Sequence, residues 1–298
     1  MSGIYSHTLR LPVAIDINLL PTAPFVSIPL ANGAIAKYRD WNLDPNADPF
    51  GGAPCRLNPL ACYVNPTILQ ADQYSSQGSA LYEGAIVEVK KRFSDHFTLM
   101  GNYTYSKAFD TTTDFNSDFG PVDNTNLGAE RGLSDFDQRH KFVAAAVIDS
   151  PWKNAILTGF QLSPIVRFNS GHPFNLLALE DINGDRHFTN DRPIGAARNT
   201  GRGPDYATWD MRLSRTFRLG ENANLQLLAE GFNLLNRTNY ASVNNVVGPV
   251  FGLPTALGGG GATTFNVHGQ VCQSVSQPLC FTSAFPKRQI QLGARFSF

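Results

Sequence analysis

The sequence predicts an all-β fold, an antiparallel transmembrane β-barrel, partial and of about eight strands, with long extracellular loops and short periplasmic turns. Three observations lead there. The final strand ends on an aromatic residue at the chain terminus, a series of segments alternates apolar and polar residues with a period of two, and the connections alternate between short and long.

The terminal strand is the first of these. Ile290, Leu292, Ala294, Phe296 and Phe298 are apolar, whereas Gln289, Gln291, Gly293, Arg295 and Ser297 are polar, charged or small. Successive strand residues point to opposite faces, so this segment has one apolar and one polar face. In a membrane barrel the first face meets lipid, the second a wet lumen, and Phe298 joins an interfacial aromatic girdle. In water the same pattern reads as the last strand of a sandwich, so the rest of the chain must decide.

Composition narrows the choice. The 298 residues carry 24 basic and 24 acidic side chains, and a zero formal charge argues against nucleic acid as a partner. No run of about 18 apolar residues is present, which excludes a transmembrane helix. The 26 glycines and 19 prolines, set among short alternating segments, describe a β chain with long loops. A mean hydropathy of −0.18 does not separate a barrel from a soluble β protein, because half of every barrel strand faces water.

The strands follow in order. Ile4 to Pro12 reads as the middle of a strand entered abruptly. In 81–93, Ala85, Val87 and Val89 oppose Glu88, Lys90 and Arg92. In 97–109, Phe97, Leu99, Tyr103 and Tyr105 oppose Thr98, Asn102, Thr104 and Ser106, and Ser94-Asp95-His96 joins the two. Segment 138–149 pairs with 156–170 through Ser150-Pro151-Trp152-Lys153-Asn154, where Trp152 suits a membrane interface. Within 156–170, Phe160, Leu162, Pro164, Val166 and Phe168 share a face against Gly159, Gln161, Ser163, Arg167 and Asn169. Pro164 lacks a ladder donor and predicts an edge or a bulge.

In 206–219, Trp209, Met211, Leu213, Phe217 and Leu219 point outward and Asp210, Arg212, Ser214 and Thr216 inward. Arg215 interrupts the outward face, and its place is expected near an interface, since an arginine at the lipid midplane costs roughly 2–4 kcal/mol. In 223–235, Leu225, Leu227 and Ala229 oppose Asn224, Gln226 and Glu230, and Gly220-Glu221-Asn222 forms a tight hairpin before them. Glu88, Lys90, Arg92, Arg167, Asp210, Arg212 and Glu230 are thus expected to line the lumen.

The short turns fall at 94–96, 150–154 and 220–222, and the long connections at about 110–137, 171–204 and 237–286, far beyond the usual two to six residues. A sandwich has no reason to gather every long loop at one end; a bacterial outer-membrane barrel does. The four cysteines suit that sidedness. Cys55 with Cys62 and Cys272 with Cys280 form two local pairs, which point to two intraloop disulfides in an oxidising compartment. The rival, a four-ligand metal site, lacks the close spacing of a zinc knuckle.

Several stretches resemble the C-terminal barrel portion of TonB-dependent outer-membrane receptors, especially the Oar-like branch with its carboxypeptidase-regulatory-like domain. They are Tyr103-Thr104-Tyr105-Ser106-Lys107, the run from Glu130 to His140, Asp181-Ile182-Asn183-Gly184-Asp185, Asn190-Asp191-Arg192-Pro193, Arg198-Asn199, the run from Glu230 to Tyr240, and the terminal strand. In that strand Gln291, Gly293, Phe296 and Phe298 resemble the C-terminal signal read by the barrel-assembly machinery. The resemblance implies active import of a bound substrate, with outer-membrane lipid, the rest of the barrel and its plug, and the TonB complex as partners, and no cofactor.

A full receptor of this kind has about 22 strands around a plug, preceded by a signal peptide and an energy-coupling segment. None of these is read here, so residues 1–298 are expected to be a C-terminal fragment, not competent for import alone. The alternative is a self-contained outer-membrane barrel acting as a structural protein or adhesin through its loops; a third reading is a secreted sandwich.

Two loop constellations bear on chemistry. Asp181-x-Asn183-x-Asp185 has the oxygen-ligand spacing that opens a calcium loop, but Arg186 stands at the glycine position and Arg192 where the bidentate glutamate belongs, so an EF-hand is excluded. Calcium binding and a solvated turn both remain open. Ser134, Asp135, Asp137 and His140 combine a nucleophile with a base but lack a Gly-x-Ser-x-Gly elbow, and no enzymatic activity is expected. Glu130, Arg131, Asp135, Asp137 and Arg139 read instead as a mixed-charge network at the extracellular rim. Phe115, Phe119, Phe188 and Tyr206 are loop aromatics expected to pin loops to each other.

Overall fold

The computed structural model describes residues 1–41, 62–112, 120–154, 156–220 and 223–298; Cys55, Phe115, Phe119, Glu221 and Asn222 lie outside the described residues. The strands are β1 (Ser2–Asp16), β2 (Phe25–Pro29), β3 (Ile35–Arg39), β4 (Asp72–Ser94), β5 (Phe97–Asp110), β6 (Gly132–Leu133), β7 (His140–Asp149) and β8 (Phe160–Asn169). They continue with β9 (Pro173–Phe174), β10 (Gly201–Arg202), β11 (Tyr206–Arg218), β12 (Asn224–Phe232), β13 (Tyr240–Val243), β14 (Phe281–Ala284) and β15 (Gln289–Ser297).

One antiparallel sheet dominates, in the order β1-β4-β5-β7-β8-β11-β12-β15, with β6 added beside β5. Eight long strands therefore run up and down in chain order, and the sheet is not closed: among the described residues β1 and β15 form its two edges. The other sheets are two-stranded ribbons in the loops, β2 with β3, β9 with β10, and β13 with β14.

Register places like with like. Phe97, Ile148, Leu162, Leu213, Ala229 and Leu292 are successive cross-strand partners, an apolar row across six strands. On the other face, Ser163, Arg212, Glu230 and Gln291 form a polar row in the same way. Alternation alone produces this, because the period of two puts every apolar set on one side.

The apolar row is not covered. Leu292 is 82% exposed and Ile290 69%, while the buried apolar clusters lie in the loops: Leu19, Ala23, Trp41, Cys62 and Tyr63 in one, Leu30, Ala36 and Leu253 in another. Among the described residues no second sheet stacks on the first, so the sandwich reading fails. A soluble domain buries its strand face and wets its loops; this chain does the reverse, as a lipid-facing sheet requires.

The short turns fall at one end of the sheet as alternation requires, but the second is longer than the 150–154 expected: β7 ends at Asp149 and β8 begins only at Phe160, so the strand read at 156–170 starts four residues late. Asp95 and His96, with φ of 50° and 69°, close β4 onto β5 between Ser94 and Phe97, the two-residue geometry that matches strand twist. At the next such end Gly159 (φ 76°) lies against Thr216, so closely that a Cβ there would sit 2.6 Å from its carbonyl oxygen. Leu219 N–H bonds the Ala223 carbonyl at 2.8 Å beside Gly220 (φ 83°).

Two further expectations need correction. The strand read at 81–93 begins at Asp72 and is 23 residues long, more than twice the 9–11 a bilayer needs. Its first part pairs with β1 beyond a bulge at Leu9, Leu11 and Pro12, where Arg10 takes φ 61°. Below the bulge β1 is exposed on both faces; above it Val13, Ala14 and Asp16 are buried, because there the ribbon has left the membrane and lies under loops. Pro164 marks neither an edge nor a bulge. It sits in an interior strand opposite Met211, and the partner ladder with β7 lapses between Ala145↔Ile165 and Ile148↔Leu162 without a register shift. The missing N–H removes a rung and leaves the register intact.

Candidate functional site

Register puts Glu88, Lys90, Arg167, Asp210, Arg212 and Glu230 on one face, and alternation carries Arg92 with them. Opposite charges meet there: Arg212 reaches Glu230 at 2.6 Å and Arg167 reaches Asp210 at 3.7 Å. Asp210 also accepts the N–H of Asn233 at 2.8 Å, and Asn233, at φ 48°, turns the chain out of β12. This charged face is the reverse of the uncovered apolar one. On the lipid side Arg215 lies 4.9 Å over the Phe160 ring and 4.6 Å over Phe217, near the short-turn end of its strand, where its charge can reach the interface.

The long connections form a cap at the opposite end. Glu130, in a short 3-10 turn (Leu127–Glu130), receives both terminal nitrogens of Arg192 at 2.8 Å and the N–H of Val122 at 3.2 Å. Burial pushes its carboxyl up, but the Arg192 charge and hydrogen bonds outweigh this and hold it below the ordinary range. Arg198 pairs with Asp110, Asn199 donates to the Leu133 carbonyl at 2.7 Å and to Asp135, and Asp137 accepts the Ala108 N–H at 2.8 Å. A cavity of about 330 Å³ lies among these groups, bordered by Glu130, Arg192, Arg198, Asn199, Phe174 and Leu177.

The expected rim network is therefore real in its residues but different in its wiring. Of the five, Arg139 and Asp137 meet at 3.4 Å, whereas Glu130 finds Arg192, a partner 62 residues away, and Arg131 approaches the Phe109 ring. The side chains of Ser134, Asp135, Asp137 and His140 do not assemble as a catalytic group. His140 Nδ1 faces the Tyr103 hydroxyl at 2.8 Å, and Asp137 is taken up by the Ala108 N–H and by Arg139. Tyr206 packs edge-on against Phe285 at 5.2 Å, pinning a loop base to the last loop, while Phe188 stays exposed.

The Asp181-x-Asn183-x-Asp185 turn is also in the cap, and it differs from the expected ligand set. Asn183 spends its amide internally, donating to Val122 O at 3.0 Å and Asp185 Oδ2 at 3.1 Å, and its oxygen accepts the Asp185 N–H at 3.0 Å. Asp191 takes its place: oxygens of Asp181, Asp185 and Asp191 lie within 4.8 Å of one another. Burial, reinforced by the Asp185 charge, raises the Asp191 carboxyl, and burial raises that of Asp185. The sequence reading missed Asp191 as a member of this group, though it stands in the Asn190-Asp191-Arg192-Pro193 stretch.

An uncovered apolar sheet face, a charged reverse face and a one-sided cap are the features by which a β sheet crosses a membrane. The model of the family described as outer membrane beta barrel domain matches residues 4–195 and 187–291. The chain belongs to that family. Its place is the bacterial outer membrane. Among solved structures the barrel domain is similar to FpvA of P. aeruginosa, determined with heterologous pyoverdines and iron, at 12% identity and a TM-score of 0.40. The alignment covers 78% of this chain and 21% of that one, so the chain spans about a fifth of that protein's length. A comparison with curated proteins found no match.

In the barrel domain Cys272 and Cys280 form a disulfide that closes a small turn of the last long loop. Cys62 is buried and disulfide-bonded; Cys55 lies outside the described residues. In the last strand Gln291 lies opposite Glu230 and Gly293 opposite Leu228, whose side chain fills the space a Cβ on Gly293 would take. The rings of Phe296 and Phe298 stand 5.9 Å apart at the terminus.

Proposed function

We propose that residues 1–298 are the C-terminal part of the barrel of a TonB-dependent outer-membrane receptor that imports a bound substrate actively, and that this part does not import alone. What supports this reading is that, among the described residues, the sheet edges at β1 and β15 have no partner. A strand edge in hydrocarbon leaves a row of N–H and C=O groups unsatisfied, which lipid does not tolerate, so further strands of a larger barrel complete the ladder. The mixed-charge inner face then borders a plug, and the cavity among the cap residues, lined by apolar and charged groups together, offers the substrate its loop contacts. Gln291, Gly293, Phe296 and Phe298 serve the barrel-assembly machinery, and coupling to the TonB complex runs through segments outside residues 1–298.

Mass spectrometry of the heat-modifiable band in outer membranes tests this. The expected result is one polypeptide in which residues 1–298 are continuous with a plug and an energy-coupling segment. A folded, heat-modifiable species made of residues 1–298 alone overturns it in favour of a self-contained barrel.

A further inference from the structure

Asp185 and Asp191 are 2% and 1% exposed, while Asp181 opens onto solvent. Three carboxylates gathered this closely, two of them out of water, repel when ionised unless a proton or a cation stands among them. The neighbouring cations are committed elsewhere. Arg192 is held by Glu130, Arg186 lies over the Tyr63 ring at 3.7 Å and donates to Ile68 O, and His187 faces Asp16 at 3.3 Å.

A second observation points to a ligand. Asp191 Oδ2 accepts the Ile182 N–H at 2.6 Å, but its Oδ1 is buried and has no hydrogen-bond partner. Buried polar atoms are almost always satisfied, and an orphan calls for an unseen donor or ion. The other two carboxylates are pre-aimed: Asp181 accepts the N–H groups of Gly184 and Arg186, and Asp185 that of His187.

We propose that Asp181, Asp185 and Asp191 bind one hard divalent cation, calcium by its chemistry, which locks the β8–β11 connection into the cap. All three donors are carboxylate oxygens, the set that suits calcium and magnesium over the softer transition metals. Oxygens within 4.8 Å of one another can share an ion bound at roughly 2.3–2.6 Å, the range of calcium. The ion acts on three loops at once. Asn183, inside the turn, donates to Val122 O and accepts the Trp41 N–H, and Tyr63 donates to Gly184 O at 2.6 Å. The proposal does not depend on the receptor reading, since a self-contained barrel would carry the same cap.

Terbium titration of the full chain in detergent, exciting Trp41 and reading sensitised emission, tests it, with calcium as competitor. The expected result is saturation near one ion per chain, displacement by calcium, and binding weaker by about tenfold or more in Asp185→Asn and Asp191→Asn. Glu180→Gln, an exposed neighbour, should stay within about twofold of the parent. Should the buried variants fail to fold, Asp181→Asn, at the solvent-exposed ligand, carries the same test. In outer membranes, a calcium chelator should speed proteolysis of the 170–205 connection in the parent and leave Asp181→Asn unchanged. Emission that does not saturate, variants that bind as tightly as the parent, or cleavage indifferent to the chelator overturns the proposal.

Discussion

Among single residues, the Glu130–Arg192 pair shows most clearly how the cap is held. Both side chains are nearly buried, and removing one partner from such a pair costs about 3–5 kcal/mol because the other is left charged and unpaired. Arg192→Met should therefore loosen the cap, seen as faster proteolysis of the long loops, and Glu130→Leu with Arg192→Met should recover much of the loss. The acid dependence follows from the lowered Glu130 carboxyl. A group depressed in the folded state contributes stability above its unfolded value and loses it as pH falls through the folded one. Cap protection should thus hold at neutral pH and decline below the ordinary value of 4.5, and Glu130→Gln should flatten that decline. A slope unchanged in Glu130→Gln would assign acid sensitivity to other groups. The pair had no sequence signal, since no local period links 130 to 192. Asp181 and Asp185 were legible because a turn sets their spacing, but Asp191 reaches them from a separate turn, which only the folded loop brings near.

At the scale of elements, most strands were legible because lipid outside and water inside impose an uninterrupted period of two. Segments 97–109 and 206–219 match β5 and β11 to within a residue. The failures occur where that pressure ends. Asp72 to Gly78 is polar on both faces, because its ribbon stands among loops instead of lipid, and alternation could not find it. The 223–235 segment stops at Phe232, where Asn233 turns left-handed. Leu213, mid-strand in β11 between Leu162 and Ala229, tests the two-faced sheet directly. Leu213→Arg should destabilise the folded barrel by roughly 2–4 kcal/mol, read as a lower unfolding midpoint in detergent or lipid. Arg215→Leu should be far milder, since Arg215 lies toward the short-turn end over two rings. Equal effects would mean that both positions sit at the same depth.

For the whole molecule, the decisive fact is that a sheet of eight long strands carries a cap over one end but, among the described residues, has no partner for either edge. Closing β1 onto β15 would satisfy the edges, yet eight strands enclose an interior just wide enough for side chains. That arrangement would press the two inner-face ion pairs together with Glu88, Lys90 and Arg92 into a narrow core, where unpaired charges are costly. Completion by further strands keeps those charges in water or against a plug. Hydrogen exchange separates the two cases. In the isolated chain in detergent, the central strands β8 and β11, bonded on both sides, should be protected throughout. In β15 only the amides directed at β12 should resist exchange, and in β1 only those directed at β4, giving protection at alternate residues. In native outer membranes the missing half of each set should become protected as well. Uniform protection of β1 and β15 in the isolated chain would mean that they pair with each other, and the molecule would then be a small closed barrel in its own right.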